Sequence, residues 1–227
     1  MRLLLSVLGC LATATVSAAE TGQSVFSDQV AFAIEAPGPE QRSRGFFGGG
    51  SLSGLYPTET PGRILLVTPP GNALTGRRLD VAIESLPVLS WTWRRLPLDM
   101  GPAEAFTNDA PMRLIVGFEG GDAARSLPDR SGSLPPCQRA LVITWSNHAW
   151  ESGASDRKGA VARFIAHGGE EDRQWWSEDL DLAGLHGRLW PSIPLAEVRI
   201  AWVAAAVRAS AGRSRGEIGG IALAPLK

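Results

Sequence analysis

LSWTWRR, residues 89–95, places two of the eight tryptophans of the chain two positions apart. Side chains two residues apart lie on the same face of a β-strand. One face of this strand therefore carries Leu89, Trp91 and Trp93, and the opposite face is polar. Because an apolar leucine lies in line with both indole rings, the pattern favours tryptophans packed in a core over tryptophans exposed as a binding platform.

The same two-residue alternation recurs along the chain, and turn-forming Gly, Pro, Asp and Ser residues separate the runs. In the run 198–202 the alternation places Val198, Ile200 and Trp202 on one face. Short strands separated by turns are typical of an all-β antiparallel sandwich. The other runs predicted to form strands are 64–67, 79–83, 112–118, 141–145, 160–166 and 218–224.

One short helix interrupts this pattern. Asp181 is a suitable N-cap residue, and leucines follow at 182, 185 and 189 with helical spacing. Pro191 and Pro194 end the helix. The glycine-rich segment GFFGGGSLSG, residues 45–54, lacks the lysine of a phosphate-binding loop, and its composition predicts a flexible loop.

The N-terminus has the pattern of a signal peptide. Arg2 precedes a short apolar run, and small residues at 16–19 fit a signal-peptidase site, so we expect a signal peptide at 1–19 and one domain at 20–227. An alternative is lipidation at Cys10, which follows Val7-Leu8-Gly9. Either reading predicts a periplasmic or secreted protein.

Charge and motif content exclude several partners and cofactors. The chain has 22 basic and 23 acidic residues without a basic stripe, which argues against nucleic acid. No later apolar run approaches the roughly 18 residues of an integral membrane span. The signatures of nucleotide loops, zinc sites and common hydrolases are missing, so we expect no cofactor and no metal. Cys137 has no acidic or histidine neighbour in sequence that would activate it.

Two segments hold the candidate ligand-binding residues. The first, WSNHAWE at 145–151, follows a predicted strand and combines aromatic with polar side chains, as small-ligand sites do. The second is QWWSED at 174–179, where only one of two adjacent tryptophans can face outward from a strand. The other two histidines, His167 and His186, are expected to face solvent. The candidate ligand-binding residues are Asn147, His148, Trp150, Glu151, Trp176 and Glu178.

The order of five segments resembles the bacterial exported family of unknown function called DUF3047. These segments are LSWTWRR, NDAPMRLIVGFEG, LPDR, ALVITWSNHAWESG and WWSEDLDLAGLHG, and the resemblance covers about residues 47–226. It implies a jelly-roll-like sandwich of the kind found in many carbohydrate-binding modules. It also implies an acidic turn before the last strand, where this chain instead has Ala206, Arg208 and Ser210.

These observations favour a non-catalytic ligand-binding module for a saccharide or another cell-envelope ligand. Tryptophan richness without catalytic signatures carries this hypothesis, since exposed rings stack on the apolar faces of sugars. Two alternatives remain open. One is a structural or assembly protein of the envelope; the other is a hydrolase or lyase in which His148 acts with Glu151 or Glu178. The identity of the ligand and the oligomeric state stay open as well.

Overall fold

Twelve strands form two β-sheets in the computed structural model, which describes residues 46–50, 55–57, 63–67, 73–96, 112–121, 134–146, 148–169, 173–207 and 215–226. The strands are β1 (Phe46–Gly50), β2 (Leu55–Pro57), β3 (Arg63–Val67), β4 (Ala73–Ala82), β5 (Val88–Leu96), β6 (Met112–Glu119), β7 (Arg139–Ser146), β8 (Ser155–Lys158), β9 (Val161–Gly168), β10 (Trp176–Asp181), β11 (Arg199–Val207) and β12 (Arg215–Ala224). A helix, α1 (Leu182–Leu189), and short 3₁₀ helices at Ala149–Glu151 and Leu195–Glu197 complete the elements.

The seven-stranded sheet has the order β1-β4-β11-β6-β7-β9-β8, and the five-stranded sheet has the order β10-β5-β12-β3-β2. All described strand pairs are antiparallel except β7 with β9, which run parallel. The prediction of a jelly-roll-like β-sandwich with one short helix is confirmed. The predicted signal peptide at 1–19, Cys10, Asn147 and the turn containing Arg208 and Ser210 lie outside the described residues.

The tryptophans of LSWTWRR pack in the core. Trp91 and Trp93 on β5 are 2% and 0% exposed, and their rings meet edge to face at 5.4 Å. They lie between the sheets among side chains from both, including Leu114 and Ile143 of the seven-stranded sheet. Burying rings of this size removes about 150–250 Å² each from water, so β5 is a principal source of stability.

Trp202 departs from the predicted face assignment. The alternation predicts that it lies with Val198 and Ile200 in the core between the sheets, but the pairing register of β11 shifts between Ile200 and Trp202. A bulge of this kind adds one residue and turns the following side chains over. Trp202 consequently packs on the other face, against Phe47 and over Gly117. Val203 occupies the position in the main core that was predicted for Trp202.

The helix is confirmed, but one of its residues is not where we expected it. The side chain of Asp181 accepts a hydrogen bond from the Gly184 amide at 2.9 Å, as an N-cap should. The inward face of α1 includes His186, which is only 1% exposed and packs against Phe118 and Trp190. The expectation that His186 faces solvent is therefore wrong.

The glycine-rich segment also departs from expectation. Phe46–Gly50 forms an edge strand that pairs with β4, because the glycines allow close approach and Phe47 packs over Gly76. The loop prediction is wrong for this half of the segment. Within the described ranges, no helix is long and apolar enough to cross a membrane.

Candidate functional site

Five side chains meet where β10, at the edge of the five-stranded sheet, faces β9 of the seven-stranded sheet. We call Trp93, Trp145, His167, Trp176 and Glu178 the mouth cluster. They come from four strands, β5, β7, β9 and β10, so that the cluster joins the two layers of the sandwich.

Alternation along β10 turns Trp176 and Glu178 toward the interior, while Ser177 and Asp179 are exposed. Trp176 lies opposite Trp93 in the antiparallel register with β5. Side chains that are direct or diagonal neighbours across strands are within reach of each other. This register brings the Glu178 carboxylate to the indole nitrogen of Trp93.

A register shift in the parallel pair delivers the histidine. Thr144 of β7 lies opposite Ile165, but Trp145 lies opposite His167, so β9 contains one extra residue at Ala166. Without the extra residue, His167 would follow the exposed residues Val161 and Arg163 to the outer face. The bulge instead turns its imidazole to the inner face beside Trp145.

The polar centre of the cluster is the contact between His167 and Glu178. His167 Nδ1 lies 3.1 Å from Glu178 Oε1, and Trp93 Nε1 donates a hydrogen bond to the same oxygen at 3.2 Å. The two side chains are 14% and 18% exposed, so the pair is largely, but not fully, removed from water.

Aromatic rings hold the imidazole on two sides. The ring centroid of His167 is 4.4 Å from that of Trp145 and 4.3 Å from that of Trp176. Trp145 is itself fixed, since its Nε1 donates to the Gly169 carbonyl at 2.9 Å and its ring packs at 5.4 Å from Trp93. The imidazole therefore has little freedom to move.

Burial dominates the electrostatics of the carboxylate. Loss of water contact raises the pKa of Glu178 above its usual value, and the neighbouring Asp179 adds to this effect. The hydrogen bond from Trp93 and the interaction with His167 oppose it, but only in part. A carboxyl group whose pKa is raised by burial beside a specific polar partner is a candidate for a functional site.

A short 3₁₀ helix, Ala149–Glu151, follows β7 in the chain. We call residues 148–151 the rim loop. The ring of Trp150 is 77% exposed, and the imidazole of His148 stacks on it at 4.2 Å with an interplanar angle of 21°. The backbone N–H of His148 donates to Ser146 Oγ at 3.1 Å, and the Ser146 hydroxyl donates to Glu151.

Gly168 lets the rim loop pack against β9. It follows His167 on β9 and lies opposite Ser146 in the strand register. A side chain at this position would collide with the carbonyl of His148 and come within 3.0 Å of Ala149 Cα. Only the absence of a Cβ lets the loop lie directly against the strand that carries His167.

The candidate residues thus fall into two adjacent groups. His148, Trp150 and Glu151 belong to the rim loop, and Trp176 and Glu178 belong to the mouth cluster.

Among the described residues, the histidine whose side chain contacts a carboxylate is His167. The prediction that His167 faces solvent is wrong. Its sequence signal, a histidine ending an apolar strand, gave no hint of the bulge that turns it inward.

Of the two adjacent tryptophans, Trp176 points inward and Trp175 lies on the outer side. Arg63 and Arg94 approach the ring of Trp175 at 4.1 and 4.8 Å from its centroid. Arg94 also pairs with Glu217 through two hydrogen bonds of 3.1 Å. Arg63 and Arg94 thus cover the ring of Trp175 on the outer face, and Trp176 is the tryptophan that joins the mouth cluster.

Cys137 is buried, and burial raises the pKa of its thiol to about 12, so it is protonated and inert at neutral pH. In the described part of the chain, no group of three or more His, Cys, Asp or Glu side chains is placed to hold a metal ion.

No protein-family model matches the sequence, and no curated protein matches it at a significant level. Among solved structures, the carbohydrate recognition domain of Emp46p in its potassium-bound form covers 88% of this chain and 98% of its own, with 11% identity and a TM-score of 0.42. Endoglucanase 3 of Trichoderma harzianum, from family GH12, covers 86% and 93% with 11% identity and a TM-score of 0.37.

A third similar structure is the xyloglucanase domain of NopAA from Sinorhizobium fredii, in complex with cellobiose. It covers 78% of this chain and 96% of its own, with 9% identity and a TM-score of 0.37. At these values the likeness concerns the general arrangement of strands. The function of the present chain has to be argued from its own residues.

Proposed function

We propose that this chain is a non-catalytic module that binds a saccharide at the rim loop and the mouth cluster. The observation that carries the proposal is Trp150, whose indole is 77% exposed although large apolar side chains are normally withdrawn from water. An exposed indole face is the usual partner of the apolar C–H face of a sugar ring.

The ring of Trp150 is also held in place. His148 stacks against one face of it at 4.2 Å, and the loop backbone is fixed through Ser146 and Gly168. A side chain that is ordered before the ligand arrives loses less conformational entropy when the ligand binds. A stacked, exposed indole is therefore well suited to binding a ring-shaped ligand.

The mouth cluster offers polar groups among aromatic rings. Withdrawing polar groups such as His167 and Glu178 from water costs solvation energy that hydrophobic side chains of the same size would not cost. The pair is therefore weak evidence of a purely stabilising role. A few polar groups converging among aromatic side chains are what a small-ligand site requires.

The rim loop supports binding more than catalysis by His148. The imidazole of His148 stacks on Trp150, and the carboxylate of Glu151 accepts its hydrogen bond from Ser146. Among described residues, the histidine that contacts a carboxylate is His167 of the mouth cluster. The hydrolase hypothesis built on His148 therefore gains no supporting contact.

The proposal also includes that the chain is exported and that it belongs to DUF3047. The pattern at 1–19 supports a module that acts in the periplasm or outside the cell. The five ordered segments support membership of DUF3047. A saccharide of the cell envelope would be accessible to a module in that compartment.

Isothermal titration calorimetry on the full chain tests the proposal with four hexasaccharides: cellohexaose, xylohexaose, mannohexaose and hexagalacturonate. We expect at least one of them to bind. Trp150→Ala should weaken that binding about 10-fold, since the stacking face is lost.

Trp150→Phe is the matched control, because a phenyl ring preserves a stacking surface. It should bind within a few-fold of the unchanged chain, and thermal unfolding should show that both variants are folded. If none of the four oligosaccharides binds, or if Trp150→Ala binds as well as the unchanged chain, the proposal is wrong.

A further inference from the structure

Two polar atoms of the mouth cluster are left over after its internal contacts are made. The described contacts of Glu178 from Trp93 and His167 both converge on Oε1. Within the described residues, neither Glu178 Oε2 nor His167 Nε2 has a hydrogen-bond partner. The side chains of His167 and Glu178 are 14% and 18% exposed, so the pair keeps some contact with solvent.

We propose that Glu178 Oε2 and His167 Nε2 together hold two neighbouring hydroxyl groups of a neutral sugar. This inference rests on the proposed saccharide-binding function and names the ligand class at its polar end. A hydroxyl group both donates and accepts hydrogen bonds, so one hydroxyl donates to the carboxylate oxygen and its neighbour pairs with the imidazole nitrogen.

The aromatic surroundings favour a hydroxyl ligand over a cationic one. A ligand cation would need an open indole face, as in the aromatic cages that bind quaternary ammonium groups. In the mouth cluster, His167 already lies against both Trp145 and Trp176, at 4.4 and 4.3 Å. The faces that would form such a cage are occupied by a side chain of the protein itself.

The charges around Glu178 favour a neutral ligand over an acidic one. The charged groups that act on Glu178 are His167, which is already paired with it, and Asp179. The carboxylate of a uronic acid would meet the carboxylate of Glu178 at short range, and the two like charges would repel each other. This repulsion disfavours an acidic sugar relative to a neutral one.

Calorimetry with the same hexasaccharides tests the inference through Glu178→Gln and His167→Phe. The amide preserves the shape of Glu178 but removes its charge, and phenylalanine keeps a ring between the two indoles but removes both nitrogens. Each change should weaken binding of the neutral hexasaccharides about 10-fold or more, because each removes a hydrogen bond to a charged or polar group.

Asp179→Asn is the matched control for Glu178→Gln. It removes a carboxylate from the adjacent position of the same strand, but on the exposed face, and should leave the affinity within about 2-fold. The unchanged chain should bind hexagalacturonate at least about 10-fold more weakly than its best neutral ligand.

The outcomes separate this inference from the proposed function. If no hexasaccharide binds, both fail. If binding depends on Trp150 but Glu178→Gln and His167→Phe behave like Asp179→Asn, the module stands and this inference is overturned. Tighter binding of hexagalacturonate than of every neutral sugar would overturn the choice of a neutral ligand.

Discussion

Two histidines are buried in this sandwich, and they lie in opposite surroundings. His167 is paired with Glu178 and held between two indoles near the solvent. His186 is 1% exposed under α1, and neither of its ring nitrogens has a hydrogen-bond partner among described residues. The Nδ1 atom of His167 contacts a carboxylate, whereas the imidazole of His186 fills apolar volume against Phe118 and Trp190.

The difference shows in how each site responds to acid. Burial lowers the pKa of His186 to about 4, and the positive charge of Arg139 acts in the same direction. At the mouth cluster, burial raises the pKa of Glu178. Acidification therefore lowers the contribution of His186 to stability and raises that of Glu178.

The largest effect should come from removing the Glu178 carboxylate. Glu178→Leu leaves His167 Nδ1 and Trp93 Nε1 without their shared acceptor, so we expect a loss of about 3 kcal/mol in the free energy of unfolding. Urea unfolding at pH 7 measures it.

The comparison for this variant is Asp179→Leu, on the exposed face of the same strand, which should change stability by no more than about 0.5 kcal/mol. The double variant His167→Leu/Glu178→Leu should recover part of the loss, because the imidazole that lost its hydrogen-bond partner is also gone. A loss for Glu178→Leu equal to that for Asp179→Leu would show that the pair contributes nothing.

The next effect concerns His186 and pH. Because its pKa is about 4 in the folded chain and about 6.5 when unfolded, its stabilising contribution is complete above pH 6.5 and is lost as the pH falls toward 4. We expect this loss to be about 2 kcal/mol after allowance for relaxation around the charged ring. Urea unfolding at pH 7, 5.5 and 4 follows it.

His186→Leu keeps the volume but cannot take up a proton. Its stability should fall less than that of the unchanged chain between pH 7 and 4. Parallel profiles for the two proteins would mean that His186 is protonated as readily in the fold as in the unfolded chain.

The smallest effect should come from titration of Glu178. Because its pKa is raised on folding, its contribution to stability is present below the unfolded value of 4.5 and is lost as the pH rises above it. Glu178→Gln removes this contribution, so the variant should lose more stability on acidification from pH 7 than the unchanged chain does. The same urea series measures the difference, and a shallower acid slope for the variant would contradict the assigned direction.

Periodicity predicted the elements better than it predicted the faces. The eight predicted strands and the buried pair Trp91 and Trp93 follow from alternation, because a one-residue change would expose a whole row of apolar side chains. The Asp181 cap follows from its residue type before a helical leucine spacing. The strands β1, β2 and β8 were not predicted. Trp202 and His167 were placed on the wrong faces for one shared reason. Each follows a bulge, and the extra residue is set by pairing with a distant strand, about which local sequence carries no information.

The candidate site was predicted in parts. Trp176 and Glu178 were identified from their own segment, and the rim loop from another, but their common neighbour His167 was not. What joins the two segments is the parallel pairing of β7 with β9 and the missing Cβ of Gly168. A glycine before a turn is too common to have indicated this close approach.

The linked indoles of Trp91, Trp93, Trp145 and Trp176, continuous through His167, have a consequence for spectroscopy. Chromophores at such separations and fixed angles couple their electronic transitions, so the folded chain should give a distinctive circular dichroism signal in its aromatic bands. One end of this chain of rings is the mouth cluster. A ligand seated there would perturb the coupled signal directly, and the protein would carry its own optical reporter of occupancy.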